Sequence, residues 1–292
     1  MVAELSSIRT RAALTIAILL WASAFVGIRI ALEGYSPGCL ALFRFIIASI
    51  CMGLIYCCRP KREKFGRRDF YLLLIFGALG LGCYNVFLNY AEISVSAGIT
   101  SFVISQSPLI TMFCAILFLG EGFNVIALLG TLISIAGVAL ITLGQHNELR
   151  FDSGMVFLLL ATVVNGLYSV FQKYFLKKYH AVDVTIYIIW GGTIALMVYS
   201  PNLLGEIKAA SLNATLAVIY LGIFPAAIAY LAWSYALSAI PVSKCVSFLY
   251  FMPVMATLLG WLCLGEVPGW MSLMGGLIAL FGVWIANKAF MK

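Results

Sequence analysis

Ten long apolar runs, separated by short charged stretches, are the feature that most constrains the fold of this chain. Each run has roughly the ~20 residues that a helix needs to cross the hydrocarbon core of a bilayer. Only 10% of the 292 residues are charged, too few to cover a soluble protein of this size. The sequence therefore predicts an all-α polytopic membrane protein. Its ten predicted spans are residues 12–32, 37–58, 70–91, 97–119, 123–144, 154–175, 184–200, 214–237, 242–264 and 268–287.

The N-terminus resembles a secretory signal peptide, because Arg9 and Arg11 precede an apolar run and residues 22–24 resemble a cleavage site. The apolar run continues beyond that point, which favours a retained first span. With the N-terminus in the cytoplasm and ten crossings, 14 of the 18 Lys and Arg residues lie on the inner side. Both termini are therefore predicted to be cytoplasmic. The net charge of +7 is explained by anionic lipid, without nucleic acid.

The second half of the chain repeats the first at an offset of 145 residues, as when Pro108 falls on Pro253. No gap is needed between residues 90 and 138. Each half holds five spans, and because five is odd, equivalent helices cross the membrane in opposite directions. The sequence therefore predicts two inverted five-helix repeats, 1–146 and 147–292, around a central cavity. Such an architecture permits alternating access, in which one site faces the two sides of the membrane in turn.

Four short motifs stand out in these repeats. They are residues 21–25, Arg44-Phe45, and two copies of a proline followed by Leu-Gly-Glu, at Pro108 with 119–121 and at Pro253 with 264–266. With these motifs the chain resembles the drug/metabolite transporter superfamily, specifically its ten-helix EamA-type members. The resemblance implies a basket-like bundle with a cavity lined mainly by spans 3, 4, 8 and 9, with spans 1 and 6 beside them. It also implies outward transport of metabolites, often amino acids or amphipathic compounds, across the bacterial inner membrane.

Polar residues inside the spans are the best indicators of a transport path, because a polar group in hydrocarbon is costly unless it faces a partner or water. The predicted substrate-binding residues are Trp21, Asn85, Asn89, Ser105, Gln106, Asn165, Tyr168, Tyr230, Ser234, Ser247 and Tyr250. For the serines, a hydrogen bond to a backbone carbonyl or close helix packing is the alternative. Pro108 and Pro253 lie near mid-span, where proline removes a backbone hydrogen bond, and are predicted to be hinges or gates.

The charged residues of the spans allow several interpretations. Glu121 and Glu266 lie at span ends, where a turn between helices is favoured over a role in proton coupling. Arg44, about two turns inside span 2, could snorkel outward, balance Glu33 or Glu92, or contact an anionic substrate. No Asp or Glu lies near a span centre, which weakens a proton antiport through a buried carboxylate.

Other function classes lack their sequence signatures. No phosphate-binding loop of the ATPase type is present, and the cysteines and histidines lack ligand spacing, so neither cofactor nor metal is expected. The sequence predicts a secondary transporter, not an enzyme, that moves a small organic metabolite outward, an amino acid or a related amphipathic compound. The alternatives are an importer or exchanger of a similar solute, a channel, or a membrane-embedded enzyme. The expected partners are that metabolite and membrane lipid, with the protein a monomer or dimer.

Overall fold

Ten helices, joined by short turns, make up nearly all of the structure. The computed structural model describes residues 2–60, 62, 64–95, 97–144, 153–264 and 269–289. The helices are α1 (Val2–Leu32), α2 (Pro37–Cys57), α3 (Arg67–Ala91), α4 (Ala97–Ile104 and Ser107–Leu119), α5 (Val125–Gly144), α6 (Ser153–Leu176), α7 (Ala181–Ala209), α8 (Leu212–Ala239), α9 (Val242–Ser247, Phe248–Tyr250 and Phe251–Leu264) and α10 (Trp270–Ala289). Each of the ten predicted spans corresponds to one helix.

Most of these helices are long and apolar enough to cross a membrane. Among the described residues, seven reach at least 18 residues with high mean hydropathy, namely α1, α2, α3, the stretch Phe102–Leu119 of α4, α6, α7 and α8. The other three contain shorter apolar stretches, Val125–Leu140, Val242–Ala256 and Leu273–Ala286. Large apolar side chains such as Phe118 and Val198 are exposed on the outside of the bundle, as expected for a surface that contacts lipid. The protein is a multi-pass membrane protein.

The crossing of α5 and α10 confirms the inverted repeat. The Ser134 hydroxyl donates to the carbonyl of Ala279 at 3.1 Å, and these two residues are 145 positions apart. A residue can contact its own equivalent only where the pseudo-two-fold axis passes between them. The close approaches on either side are reciprocal under the same offset: Gly137 meets Gly275, and Gly130 meets Gly282. The two helices therefore run antiparallel across the axis, as two halves of opposite topology require.

A second symmetric feature, which the sequence analysis did not predict, is a widened π-helical turn in α3 and in α8. The turn in α3 spans Ala78–Cys83 and the one in α8 spans Gly222–Ile228. The offset of 145 carries residues 78–83 onto 223–228, within the second turn. Pro225 lies inside this turn, where its missing N–H leaves the usual helical ladder incomplete. Such turns leave carbonyl oxygens available to other donors.

The helix breaks in α4 and α9 do not lie at the mid-span prolines. In α4 the helix stops after Ile104 and restarts at Ser107, so Pro108 is the second residue of the new segment. A proline fits there because the first turn of a helix has no intrahelical acceptors for its N–H groups. In α9 the short 3₁₀ turn Phe248–Tyr250 occupies the equivalent position and precedes Pro253. Predicted span 4 is present, and its helix is interrupted at residues 105–106, just before Pro108.

Some predicted boundaries differ from the structure or cannot be compared with it. α1 begins at Val2 rather than at residue 12, and α7 continues to Ala209 rather than ending at residue 200. Both extensions are helical but less apolar, so apolar length alone did not reveal them. The predicted boundary between the repeats, at 146 and 147, lies outside the described residues, and so does Glu266.

Candidate functional site

A cavity lies at the centre of the bundle, between the two repeats. Its volume is about 50 Å³ in this conformation, enough for a few water molecules. Residues of α1, α2, α3, α4, α6, α8 and α9 line it, whereas α5, α7 and α10 contribute none of the described lining residues. Five of the predicted binding residues are among them: Trp21, Ser105, Asn165, Tyr168 and Tyr230. Spans 1 and 6 thus contribute more to the wall than the family resemblance implied.

Aromatic rings form one wall of the cavity. The Trp21 ring lies 5.3 Å from the ring of Tyr230 and 5.3 Å from that of Trp233. The Trp21 indole N–H donates to the Pro225 carbonyl at 3.1 Å, so the widened turn of α8 fixes this ring. Sequence reasoning missed Trp233, which lies three residues after Tyr230 and therefore on the same helix face. Such a wall can hold an apolar group or, through the ring faces, a cation.

The polar side of the cavity is built at the break in α4. The Ser105 hydroxyl donates to the Phe102 carbonyl at 2.7 Å, and the Gln106 amide donates to the same oxygen at 2.9 Å. Both bonds satisfy a carbonyl at the end of the first segment, where the helical ladder stops. The Asn165 amide of α6 donates to the Ser107 hydroxyl at 3.0 Å and links α6 to this break. Ser105 and Asn165 line the cavity, but Gln106 is not among its lining residues.

The two asparagines predicted in span 3 lie beside the cavity, not in its wall. The fully buried Asn85 amide donates to the Leu81 carbonyl at 2.9 Å, inside the widened turn of α3. The Asn89 amide donates to the Pro37 carbonyl at 3.0 Å and ties α3 to the start of α2. Each amide therefore donates to a backbone carbonyl rather than into the cavity. The cavity wall of α3 consists instead of Tyr84 and Leu88, on a neighbouring face.

The remaining predicted residues also lie outside the cavity wall. Ser234 accepts hydrogen bonds from Gln172 at 2.7 Å and from Thr185 at 2.6 Å, so it joins α8 to α6 and α7. The Ser247 hydroxyl donates to the carbonyl of Lys244, one turn back in its own helix. Tyr250 packs with Val138, Ala279 and Val283 in a separate buried cluster near the α5–α10 crossing. Their binding role stays a prediction without geometric support.

Arg44 brings a charge into the cavity that the sequence analysis did not place there. Only 3% of this residue is exposed, and it is a cavity-lining residue on α2. Its Nε and Nη1 atoms have no hydrogen-bond partner in the described part of the chain. The cavity is therefore lined by a charged group as well as by uncharged ones. A charge inside a membrane span was the signal for this residue, since such charges are rare and expensive.

One end of the bundle, where α4 meets α5 and α8 meets α9, is closed by charged side chains. The Glu121 carboxylate accepts hydrogen bonds from the backbone N–H groups of Val242 and Ser243, at 2.7 and 3.1 Å, and caps the start of α9. The Lys173 ammonium donates to the carbonyls of Leu237 and Ile240 and caps the end of α8. Both charged groups interact favourably with the dipole of the helix end that they cap. For Glu121 this geometry agrees with the interpretation as a turn between helices.

Further charged contacts fix the loops at the same end. Arg59 pairs with the buried carboxylate of Asp183 at 2.6 Å, which holds the loop after α2 against α7. The Tyr179 hydroxyl donates to Asp69 at 2.8 Å. This hydrogen bond raises the pKa of Tyr179 above its usual value. Together these contacts tie the loops after α2 and α6 to α7 and α3 at this end.

Comparison with known proteins identifies the family. The model of the EamA-like transporter family matches residues 11–143 and again 152–288, one match in each repeat. The chain belongs to the EamA-like transporter family. EamA-like proteins are transporters, so the chain is a transporter and not an enzyme. It is 38% identical over 264 residues to the uncharacterized transporter YdfC of Bacillus subtilis, covering 90% of this chain and 86% of the relative.

Two further similarities bear on substrate and fold. The chain is 33% identical over 280 residues to a Streptantibioticus cattleyicolor protein named as a probable terminal-alkyne amino-acid exporter, covering 94% of this chain and 92% of that one. It also superposes on a solved crystal structure with a TM-score of 0.77 and 20% identity, over 97% of both chains. That structure supports the fold of this EamA-like protein and nothing finer.

Proposed function

We propose that this EamA-like transporter exports a small organic metabolite, an amino acid or a related amphipathic compound, by alternating access across the bacterial inner membrane. The distribution of positive charge supports an orientation with both termini in the cytoplasm.

The observation that carries the proposal is the central cavity, built by helices of both repeats and closed at one end. Arg44 and Tyr84 line the cavity near the start of α2 and the end of α3, whereas Trp233 and Leu249 line it from the other end of the bundle, so the cavity lies between the two ends. The end nearer Trp233 and Leu249 is closed by the Glu121 cap. In the orientation predicted from charge, the closed end faces the cytoplasm. Rocking of the two repeats would open that end and close the other.

The chemistry of the cavity favours an amphipathic solute. Trp21, Tyr230 and Trp233 offer apolar ring faces, while Ser105 and Asn165 offer hydrogen bonds. The name of the Streptantibioticus cattleyicolor relative, an amino-acid exporter, supports the same class. At about 50 Å³ the cavity must widen to admit such a solute, which is expected of a carrier that changes conformation during transport.

Counterflow in proteoliposomes tests the proposal. Vesicles loaded with an unlabelled amino acid and diluted into the same labelled amino acid should accumulate label transiently, because a carrier exchanges one solute for the other. Saturable counterflow is expected, together with its loss when residues of the aromatic wall are replaced. An ohmic current without counterflow would contradict the proposal and favour a channel.

The second candidate is an importer or exchanger of a similar solute. The same cavity would serve it, because the direction of net flux depends on gradients and coupling rather than on the cavity. Inside-out and right-side-out membrane vesicles, supplied with a proton or solute gradient, distinguish the two candidates. An exporter takes up solute into inside-out vesicles, whereas an importer takes it up into right-side-out vesicles.

A further inference from the structure

The unpartnered guanidinium of Arg44 is the least satisfied charged group in the cavity wall. Only 3% of this residue is exposed to solvent. Two of its nitrogen atoms, Nε and Nη1, lack a hydrogen-bond partner among the described residues. A buried charge without hydrogen bonds is strongly unfavourable, because the surrounding protein does not replace the water it has lost. An anionic ligand in the cavity would supply the missing acceptors.

Glu92 does not supply them. This residue follows α3 in the turn 92–95, is 4% exposed, and has both carboxylate oxygens without a hydrogen-bond partner in the described part of the chain. It attracts Arg44 electrostatically, as the exposed Arg29 attracts Glu92 in turn. The attraction acts at a distance, since the two buried side chains form no hydrogen bond. Glu92 therefore leaves the guanidinium donors free, and because burial raises the pKa of its carboxyl, it compensates the charge of Arg44 only in part.

The fold itself does not require a cation at this position. By its helix contacts, Ile188 of α7 occupies the position that Arg44 has in α2, and Ile188 is fully buried and uncharged. The corresponding helix contacts use backbone atoms: a Cβ on Gly222 would lie 2.9 Å from the Arg44 carbonyl oxygen, and one on Gly77 would lie 2.0 Å from that of Ile188. The second repeat thus makes the same close packing without an arginine. The side chain of Arg44 serves something other than helix packing.

We propose that Arg44 binds the carboxylate of the transported solute, so that the substrates are small monocarboxylates with an apolar body, including α-amino acids with apolar side chains. The inference rests on the proposed function, since it names the substrate class of the same cavity. Arginine donates strongly to carboxylates, and the rings of Trp21, Tyr230 and Trp233 accommodate the apolar body. A single guanidinium with Glu92 nearby favours a monoanion over a dianionic phosphate or phosphonate.

Glu92 acts on this site as a competing charge. A carboxylate bound at Arg44 is repelled by the Glu92 carboxylate when the latter is ionised. Replacing Glu92 with glutamine removes that repulsion and should therefore tighten the binding of acids. Replacing Arg44 should weaken it. Opposite effects of two neighbouring substitutions are expected from an electrostatic site, whereas two merely structural residues would both weaken binding or leave it unchanged.

Tryptophan fluorescence of the purified full-length protein tests the proposal, because Trp21 and Trp233 line the cavity. The probes are leucine and methionine, their carboxamides, and the aminophosphonate analogue of leucine. The wild type should bind the acids about tenfold or more tightly than the amides, the effect of losing a charge-assisted hydrogen bond. R44Q should bind acids and amides equally, and E92Q should bind the acids more tightly than the wild type does.

Two further variants make the result decisive. R11Q removes an exposed arginine at the other end of α1, outside the cavity wall, and should keep the wild-type preference for acids. R44K keeps the charge but not the planar guanidinium, and should keep part of the preference if R44Q proves too unstable to purify. The proposal is overturned if the wild type binds amides or phosphonates as tightly as acids, if it binds none of the acids, or if R44Q retains the preference. Failure of the proposed function shows separately, as wild-type protein that binds these acids but gives no counterflow.

Discussion

At the scale of single residues, two groups of buried polar side chains in this protein can be contrasted. Ser234 uses its hydroxyl fully, as acceptor for Gln172 and Thr185 and as donor to the Tyr230 carbonyl. Such a residue holds helices together and has no bonding capacity left for a solute. Arg44 and Tyr168 line the cavity and keep polar atoms without partners in the described part of the chain. Unsatisfied groups that face a cavity are the ones that a ligand can satisfy.

The first group makes a prediction about stability. Ser234→Ala should lower the free energy of unfolding by about 1–3 kcal/mol, because the buried Gln172 amide loses its acceptor. Thermal unfolding in detergent measures this. The matched control is Ser238→Ala, at an exposed serine of the same helix that donates only to the Tyr235 carbonyl. Equal melting temperatures for the two variants would show that the buried network contributes nothing.

At the scale of helices, glycines decide how closely the elements pack. At the α5–α10 crossing, a Cβ on Gly137 would lie only 2.3 Å from the backbone nitrogen of Ala279. In a membrane the helices gain little from hydrophobic burial against one another, so close backbone packing contributes much of their association. The same crossing contains the pseudo-two-fold axis, so its geometry affects both repeats at once.

Gly137→Ala should therefore destabilise the protein by about 1–3 kcal/mol, the usual effect of overpacking. Gly53→Ala is the control, because no atom lies within 4 Å of a Cβ at Gly53. That control should be neutral or stabilising by up to about 1 kcal/mol, since alanine favours a helix. Thermal unfolding compares the two. A Gly137 variant as stable as the Gly53 variant would contradict the close packing.

The breaks in α4 and α9 lead to a prediction about rate. Pro108→Ala restores a backbone N–H and allows the helix to continue through the break at residues 105–106, which should stiffen a predicted hinge. Counterflow should slow severalfold while the melting temperature stays unchanged or rises. Pro201→Ala is the control, since Pro201 is exposed and lies at the start of the segment Ser200–Ala209 of α7. A Pro108 variant with the wild-type rate of counterflow would contradict a hinge role for this proline.

At the scale of the whole molecule, the conformation is defined by which end of the bundle is closed. Glu121 of the first repeat holds the start of α9 in the second, through the N–H groups of Val242 and Ser243 and the hydroxyl of Ser243. This contact must break when the cavity opens toward that end. A variant that weakens it should shift the population of conformations toward the open form.

Glu121→Gln should therefore expose Cys245, which is fully buried on the first segment of α9. In a variant whose only cysteine is Cys245, a membrane-impermeant maleimide added from the inner side should label the glutamine variant faster. Glu33→Gln serves as the control, at an exposed carboxylate in the turn after α1. Equal labelling rates would mean that the Glu121 cap does not hold this end closed.

The properties that depend on local or periodic features could be predicted from the amino-acid sequence. Ten apolar runs gave ten helices because the bilayer offers the backbone no other hydrogen-bond partners. The offset of 145 residues gave the inverted repeat, because an odd number of spans reverses the direction of each copy. Both the break at residues 105–106 and the widened turns depend on how the chain packs, and their exact positions were not predicted.

The face of each helix that meets the cavity depends on how the helices pack together, and it could not be predicted from the sequence. Asn85 and Tyr84 are adjacent in α3, yet Tyr84 lines the cavity and Asn85 satisfies a helix carbonyl. In a soluble helix, the polar face would have revealed the orientation. In a membrane, both lipid and protein interior are apolar, so hydropathy does not distinguish them. The rotation of each helix is set by backbone contacts such as that of Gly77 with Ile188, between residues far apart in the sequence.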